Sequence, residues 1–259
     1  MSQRPSSRED FEVAIICALP LEYDAVVLLF DEFWDEDGDT FGRAIGDVNN
    51  YRTGRIGKHN VVLALLSHMG KAHAAAAAAS MRSSYGALRL VILAGICGGV
   101  PFNSQGEIFL GDVVISKSII QYDFGRKYPN GFMRKTTDED NLRKHGKNIR
   151  NFLTKFDTSS DKVCDGALSS SCDNLGCDED YLVVRKQLKE QDEAQEPAIY
   201  IGAVASGDTV MKSGEDRDSI ARRESVIAFE MEGAGVWEEM PCIVIKGVGD
   251  GSICIEGNS

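Results

Sequence analysis

Phe229-Glu230-Met231-Glu232-Gly233-Ala234-Gly235 follows a β-rich segment, Ser225-Val226-Ile227-Ala228, and opens a run of small residues. A second apolar segment, Ile243-Val244-Ile245, runs into Gly247-Val248-Gly249-Asp250. Both segments read as strands, so Glu232 and Asp250 fall at the C-terminal ends of two predicted strands. In open α/β sheets ligands bind at that edge. A carboxylate there can accept hydrogen bonds from the hydroxyls of a ribose, and a second can protonate a leaving group.

Working outward, Val13-Ala14-Ile15-Ile16-Cys17-Ala18-Leu19 is an unbroken apolar run, the pattern of a strand buried on both faces. Pro20 fits the first turn of a following helix, expected through Phe30, and an acidic loop follows from Asp31 to Asp39. Tyr51 to Ile56 and Asn60 to Ser67 read as a strand pair joined through Gly57-Lys58. Gly70 to Met81 is alanine-rich and predicts a helix. Leu90 to Ala94 reads as a buried strand ending at Gly95-Ile96-Cys97-Gly98-Gly99. Val113 to Ile120 and Ile199 to Ala205 read as two more, the last ending at Ser206-Gly207-Asp208. Strands alternating with helices predict an α/β fold: a single domain with a central mixed, twisted sheet flanked by helices, a three-layer sandwich.

The bulk numbers narrow the function classes. At 259 residues the chain can bury a substantial core. Its 40 acids against 28 Lys and Arg give a net charge of −12, which disfavours nucleic acid and anionic membranes as partners. No apolar run approaches the ~20 residues of a membrane span. The polar stretch Met1 to Asp10 carries no secretory signal pattern and reads as a flexible N-terminus to a domain spanning 11–259. Cys17, Cys97, Cys242 and Cys254 sit in or beside apolar segments, as reduced core thiols of a cytoplasmic protein do. Residues 136–197 differ from the rest: polar, with a helix expected over Leu142 to Phe156 and a mobile insertion over 157–180. That insertion holds Cys164, Cys172 and Cys177, but no C-x-x-C pair or histidine accompanies them, so neither a metal nor any other cofactor is expected.

With these motifs assembled, the chain resembles the purine nucleoside phosphorylase/uridine phosphorylase superfamily, and within it the methylthioadenosine/S-adenosylhomocysteine nucleosidase branch. Four blocks carry the resemblance, from about Val13 to Asp250 and skipping 136–197. They are Ile15-Ile16-Cys17-Ala18-Leu19-Pro20-Leu21-Glu22, Ala94-Gly95-Ile96-Cys97-Gly98-Gly99, Ser206-Gly207-Asp208, and Phe229-Glu230-Met231-Glu232 with Asp250. The chain is also similar to the nucleosidase domains of immune-receptor-type proteins of fungi and bacteria, some of which cleave ATP. The Gln121-Tyr122-Asp123-Phe124-Gly125-Arg126 block favours that subgroup. The resemblance implies roles for individual residues. Met231 and Glu232 bind ribose, Asp250 protonates N7 of the purine, and Glu22 activates the attacking water. Val210 and Met211, after Ser206-Gly207-Asp208, line the base and ribose, Ser206 is itself a substrate-binding residue, and Gly98 with Cys97 borders the nucleophile site. It also implies a homo-oligomer, and that the helix usual after the aspartate is missing here or that the chain is a domain of a longer protein.

Three departures from the phosphorylases bear on the nucleophile. Glu22 stands where they carry an arginine, Ile96 where they carry a phosphate-binding serine, and Leu93 where they carry another arginine. A phosphate dianion needs cationic and hydroxyl donors. The expected reaction is therefore hydrolysis of an N-glycosidic bond by water, releasing the free base, with Glu22 ionised and Asp250 protonated. The residues alone admit blander readings: Glu22 at a helix start is favoured by the helix dipole, and Gly95, Gly98 and Gly99 can be turn residues. Arg126, Lys127, Arg134 and Lys135 form a basic run with no acid among them. It is either a solvated loop or a contact for 5′-phosphates, in which case Arg126 and Arg134 would direct the enzyme to ATP. The alternatives are a methylthioadenosine/S-adenosylhomocysteine nucleosidase, a phosphate-dependent phosphorylase, and a catalytically weak nucleotide-binding module.

Overall fold

The structure, a computed structural model, describes residues 4–36, 38, 40–129, 131–135 and 197–249. The expected helix over 142–156, the 157–180 insertion, Cys164, Cys172, Cys177, Cys254 and Asp250 lie outside the described residues. The strands are β1 Val13–Cys17, β2 Glu32–Phe33, β3 Tyr51–Ile56, β4 His59–Leu65, β5 Leu90–Gly99, β6 Phe102–Asn103, β7 Gly106–Glu107, β8 Val113–Gln121, β9 Gly125–Tyr128, β10 Gly131–Arg134, β11 Ile199–Ser206, β12 Val226–Glu230 and β13 Cys242–Val248. The helices are α1 Pro20–Val27, α2 Lys71–Ser84, α3 Gly214–Glu224 and α4 Gly233–Glu239.

Nine strands form one mixed sheet in the order β12-β11-β8-β13-β5-β1-β4-β3-β2, and β12 returns to pair with β5. β1 runs parallel to β4 and β5, and β13 parallel to β5, whereas β3 and β4 are antiparallel. The unbroken apolar run of β1 is explained by burial on both faces. Ala14 and Ile16 point into a core shared with Ala74, Ala77, Ala78 and Met81 of α2. Ile15 and Cys17 point the other way, toward Val26 of α1 with Val61 and Leu63 of β4. Helices therefore cover both faces, as the alternation of elements predicts.

Three local differences from the sequence reading have physical causes. α1 stops at Val27, not Phe30, because the chain turns there and Phe30 stacks on Phe33 at 5.1 Å as β2 pairs with β3. The acidic loop thus holds a short edge strand. The glycine string Gly95–Gly99 is not a loop; it continues β5. Gly95, Ile96 and Cys97 pair with Lys246, Gly247 and Val248, and Gly98 and Gly99 pair with β12. Residues 4–10 include a 3-10 turn, Arg8–Asp10, capped by Ser7.

α2 and α4 meet closely because their facing residues are small. A Cβ at Gly235 would collide with the backbone carbonyl of Lys71. Gly235→Ala is therefore expected to push the two helices apart and destabilise the fold by about 1–3 kcal/mol, the usual range for overpacking. A thermal melt reads this as a drop in Tm of several degrees; an unchanged Tm would contradict the packing.

Candidate active site

A cavity of about 700 Å³, open to solvent, lies at the C-terminal edge of the parallel strands. Its walls come from the ends of β1, β5, β12 and β13, the start of α1, and the segments around Met69 and Thr209–Met211. Of the residues singled out from sequence, Glu22, Cys97, Gly98, Val210, Met211, Met231 and Glu232 all line it. Asp250 lies outside the described residues, but its neighbour Gly249 lines the cavity, held by a hydrogen bond from its N–H to Cys97 O at 2.9 Å.

Glu22 is buried at the first turn of α1. Its Oε2 accepts the N–H groups of Ala18 (2.8 Å) and Leu19 (2.9 Å), and Oε1 accepts that of Ile96 (2.8 Å). The arrangement depends on Gly95, where a Cβ would occupy the space of the Glu22 carboxylate. Three backbone donors thus fix one carboxylate against the cavity wall, and hydrogen bonds to a charged group are each worth about 1.5–3 kcal/mol.

Glu232 is held from two sides. Lys246 Nζ donates to its Oε2 at 2.9 Å, and Gly70 N–H donates to its Oε1 at 3.3 Å. Glu230, just before it, accepts the N–H groups of Glu232 (3.0 Å) and Gly233 (2.8 Å) and lies 3.8 Å from Lys246 Nζ. Burial pushes Glu230 above the usual carboxylate range. Burial would likewise strip the proton from Lys246, but Glu230 and Glu232 outweigh it and hold that pKa above the ordinary value. Lys246 is the one cation lining the cavity among the described residues, against three carboxylates: Glu22, Glu230 and Glu232.

The sequence reading missed Lys246 and Glu230. Lys246 was hidden inside an apolar strand, although a charged residue within such a run is itself a signal, since lysine is rarely fully buried without a partner. Cys97 is buried, and desolvation pushes its thiol up to about 12, so it is not a thiolate at neutral pH.

Three expected contacts sit elsewhere. Ser206 is fully buried behind the wall, where its hydroxyl accepts the N–H of Ala234 at 2.9 Å and fixes the start of α4. Arg134 does not face the cavity. Its guanidinium grips Glu224 of α3 through two bonds, 3.0 and 2.8 Å, with both side chains about nine-tenths buried. Glu224 lies 90 residues away in sequence, so nothing near Arg134 could have signalled the pairing. Arg126 lies on the exposed strand β9, outside the cavity lining.

Removing Lys246 would leave two buried carboxylates facing each other. Lys246→Met is expected to destabilise the protein by about 3–5 kcal/mol, the range for breaking a buried pair. Urea unfolding measures it, and a loss below about 1 kcal/mol would show the pair to be far more solvated than its geometry implies.

The phosphorylase superfamily model matches residues 12–251. A nucleotide-binding leucine-rich repeat (NLR)-like protein of Hyaloscypha variabilis is 32% identical over 281 residues, covering 96% of this chain. The chain spans only 27% of that relative's length. The 5′-methylthioadenosine/S-adenosylhomocysteine nucleosidase of Mycobacterium bovis is 24% identical over 243 residues, covering 92% of this chain and 85% of that protein. Among solved structures, the Helicobacter pylori enzyme named for the same two nucleosides superposes with a TM-score of 0.61 at 18% identity, covering 94% of this chain and 87% of that one. The futalosine hydrolase of the same organism gives a TM-score of 0.60 at 17% identity, with the same shares covered. At these identities the two structures speak for the fold alone.

Proposed function

The chain belongs to the phosphorylase superfamily, and we propose that its cavity hydrolyses the N-glycosidic bond of purine nucleosides or nucleotides, releasing adenine with water as the nucleophile. The observation that carries this reading is Glu22. Its carboxylate occupies the three backbone N–H groups of Ala18, Leu19 and Ile96, donors that an external anion would otherwise need. The cavity's one described cation, Lys246, is committed to Glu232. A phosphate dianion entering beside three carboxylates would meet repulsion with no free cation to offset it. Water meets a fixed acceptor.

The roles follow from charge. Breaking the bond from C1′ to the purine builds positive charge on the ribose and negative charge on the base. Glu232 accepts the ribose hydroxyls and, with Glu22, stabilises the developing cation. Glu22 takes a proton from water. Asp250, next to the cavity-lining Gly249, donates to the base. Met231, Val210 and Met211 contact the ribose and the base, with Phe229 giving an aromatic wall. Adenine release is expected to be independent of inorganic phosphate; a strict phosphate requirement with a sugar 1-phosphate product would overturn hydrolysis. Asp250→Asn, Glu232→Ala and Glu22→Ala should each lower turnover by about 10²–10⁴-fold, the range for losing a general acid or base. Wild-type rates in folded variants would remove those residues from the mechanism.

The finer reading concerns the 5′ end. Arg126 and Lys127 on β9 are exposed cations in an acidic chain, which supports a 5′-phosphorylated substrate such as ATP. Arg134 leaves that set because Glu224 holds it. A second reading rests on Met69, Ile96 and Val210, large apolar side chains half-exposed in the cavity wall, which suit a methylthio group. Competition among ATP, AMP, adenosine and methylthioadenosine, in wild type and Arg126→Ala, separates the two. ATP as the preferred substrate, with the preference lost in the variant, supports the nucleotide; methylthioadenosine as the best substrate overturns it.

A further inference from the structure

Two consecutive backbone amides hold the two sides of the cavity. Gly70 N–H donates to Glu232 Oε1 at 3.3 Å, and Lys71 N–H donates to Asp208 Oδ1 at 2.8 Å. Asp208 begins the segment whose next three residues, Thr209, Val210 and Met211, form one cavity wall. The Lys71 side chain then reaches past Asp208 to Asp123, donating to both carboxylate oxygens at 2.7 Å, with Asp208 Oδ2 at 3.5 Å. Asp208 N–H closes the ring by donating to Asp123 Oδ2 at 2.9 Å. One ammonium therefore stands between two carboxylates.

We propose that Lys71 is a positioning residue that clamps the 208–211 wall against Glu232, and so sets the width of the cavity between the sugar side and the base side. Three features support it. The Lys71 backbone cannot drift, because Gly235 of α4 packs directly on its carbonyl. Gly70 has φ +105, which lets the chain turn its amide toward Glu232 just before the helix begins. Among the described residues the wall is also tethered by Gly207 N–H to Glu230 O at 3.1 Å and by Tyr122 Oη–H to Thr209 O at 2.9 Å, and the Gln121 side chain hydrogen-bonds Asp123. None of these carries a positive charge to neutralise the Asp123–Asp208 pair. Without the ammonium the two carboxylates repel each other, and Asp208, the more exposed, swings outward with the residues behind it.

The clamp itself follows from geometry alone; the meaning of the two sides rests on the nucleosidase reading. The test has two arms, so that the two can fail separately. Amide hydrogen exchange over residues 207–211 is followed in wild type, Lys71→Met and Lys71→Arg. The expected result is exchange at least about tenfold faster in Lys71→Met, recovered in Lys71→Arg, with α3 unchanged. Unchanged exchange over 207–211 in Lys71→Met would overturn the clamp whatever the substrate is. In the second arm, Lys71→Met raises KM for the best adenine nucleoside or nucleotide about tenfold while kcat stays within about twofold, as expected when a charge-assisted bond that shapes the binding wall is lost. A fall in kcat at constant KM would overturn positioning of the wall. If wild type neither binds adenine nor releases it, the nucleosidase reading fails, and the exchange arm alone decides the clamp.

Discussion

Lys246 lies between Glu230 and Glu232 with 3% of its surface exposed, and much of the site depends on that burial being matched. An ammonium taken out of water is costly unless carboxylates surround it, and a carboxylate as buried as Glu230 needs donors in turn. The β12–α4 turn supplies them: the N–H groups of Glu232 and Gly233 both close on Glu230. The ion cluster thereby fixes the end of β12, the start of α4 and the end of β13 as one unit. Glu232 is aimed into the cavity by the same cluster. Buried ion pairs contribute little net stability, so this one is better understood as setting geometry.

The carboxylates of the cavity share one chemistry but differ in what surrounds them. Glu22 is held by backbone amides alone, without a cation in bonding contact. Glu232 has an ammonium on one oxygen and a backbone amide on the other. Glu230 is turned inward and spent on structure. A group meant to take a proton from water should not be neutralised by a neighbouring ammonium, and Glu22 is the one so arranged. A group meant to hold ribose hydroxyls benefits from being fixed at a single angle, and Glu232 is. The division of labour proposed for them thus has a basis in their donors as well as in their place along the chain.

Much of this was legible in the sequence because burial leaves a plain signature. An unbroken apolar run such as Val13–Cys17 requires helices on both faces, and the strand ends then bring Glu22, Glu232 and the Ser206–Met211 segment to one edge. The glycine string was harder to read. Gly95 to Gly99 has the composition of a turn, yet it is strand, and Gly95 answers to a distant neighbour, the Glu22 carboxylate, which also takes the N–H of Ile96 74 residues along the chain. The basic run misled for a related reason. Arg134 looks unpaired within its own segment, and its partner Glu224 comes from a helix the sequence reading had not singled out. Local pattern records which side chains need burial, and it is silent on which charge will meet which across the fold.

The same asymmetry explains why Lys71 escaped notice. At the start of an alanine-rich helix a lysine is poorly placed by the helix dipole, which favours acids at that end. In isolation it reads as a mismatch. In the fold it answers two carboxylates, Asp123 from the end of β8 and Asp208 from the end of β11. A residue that opposes its local electrostatics is retained when distant partners more than offset the loss. Lys246 inside an apolar strand obeys the same logic at greater depth. Both lysines conflict with their own element, and each joins strand ends that converge on the cavity. The sequence positions that break a local rule here are the ones that hold the site together.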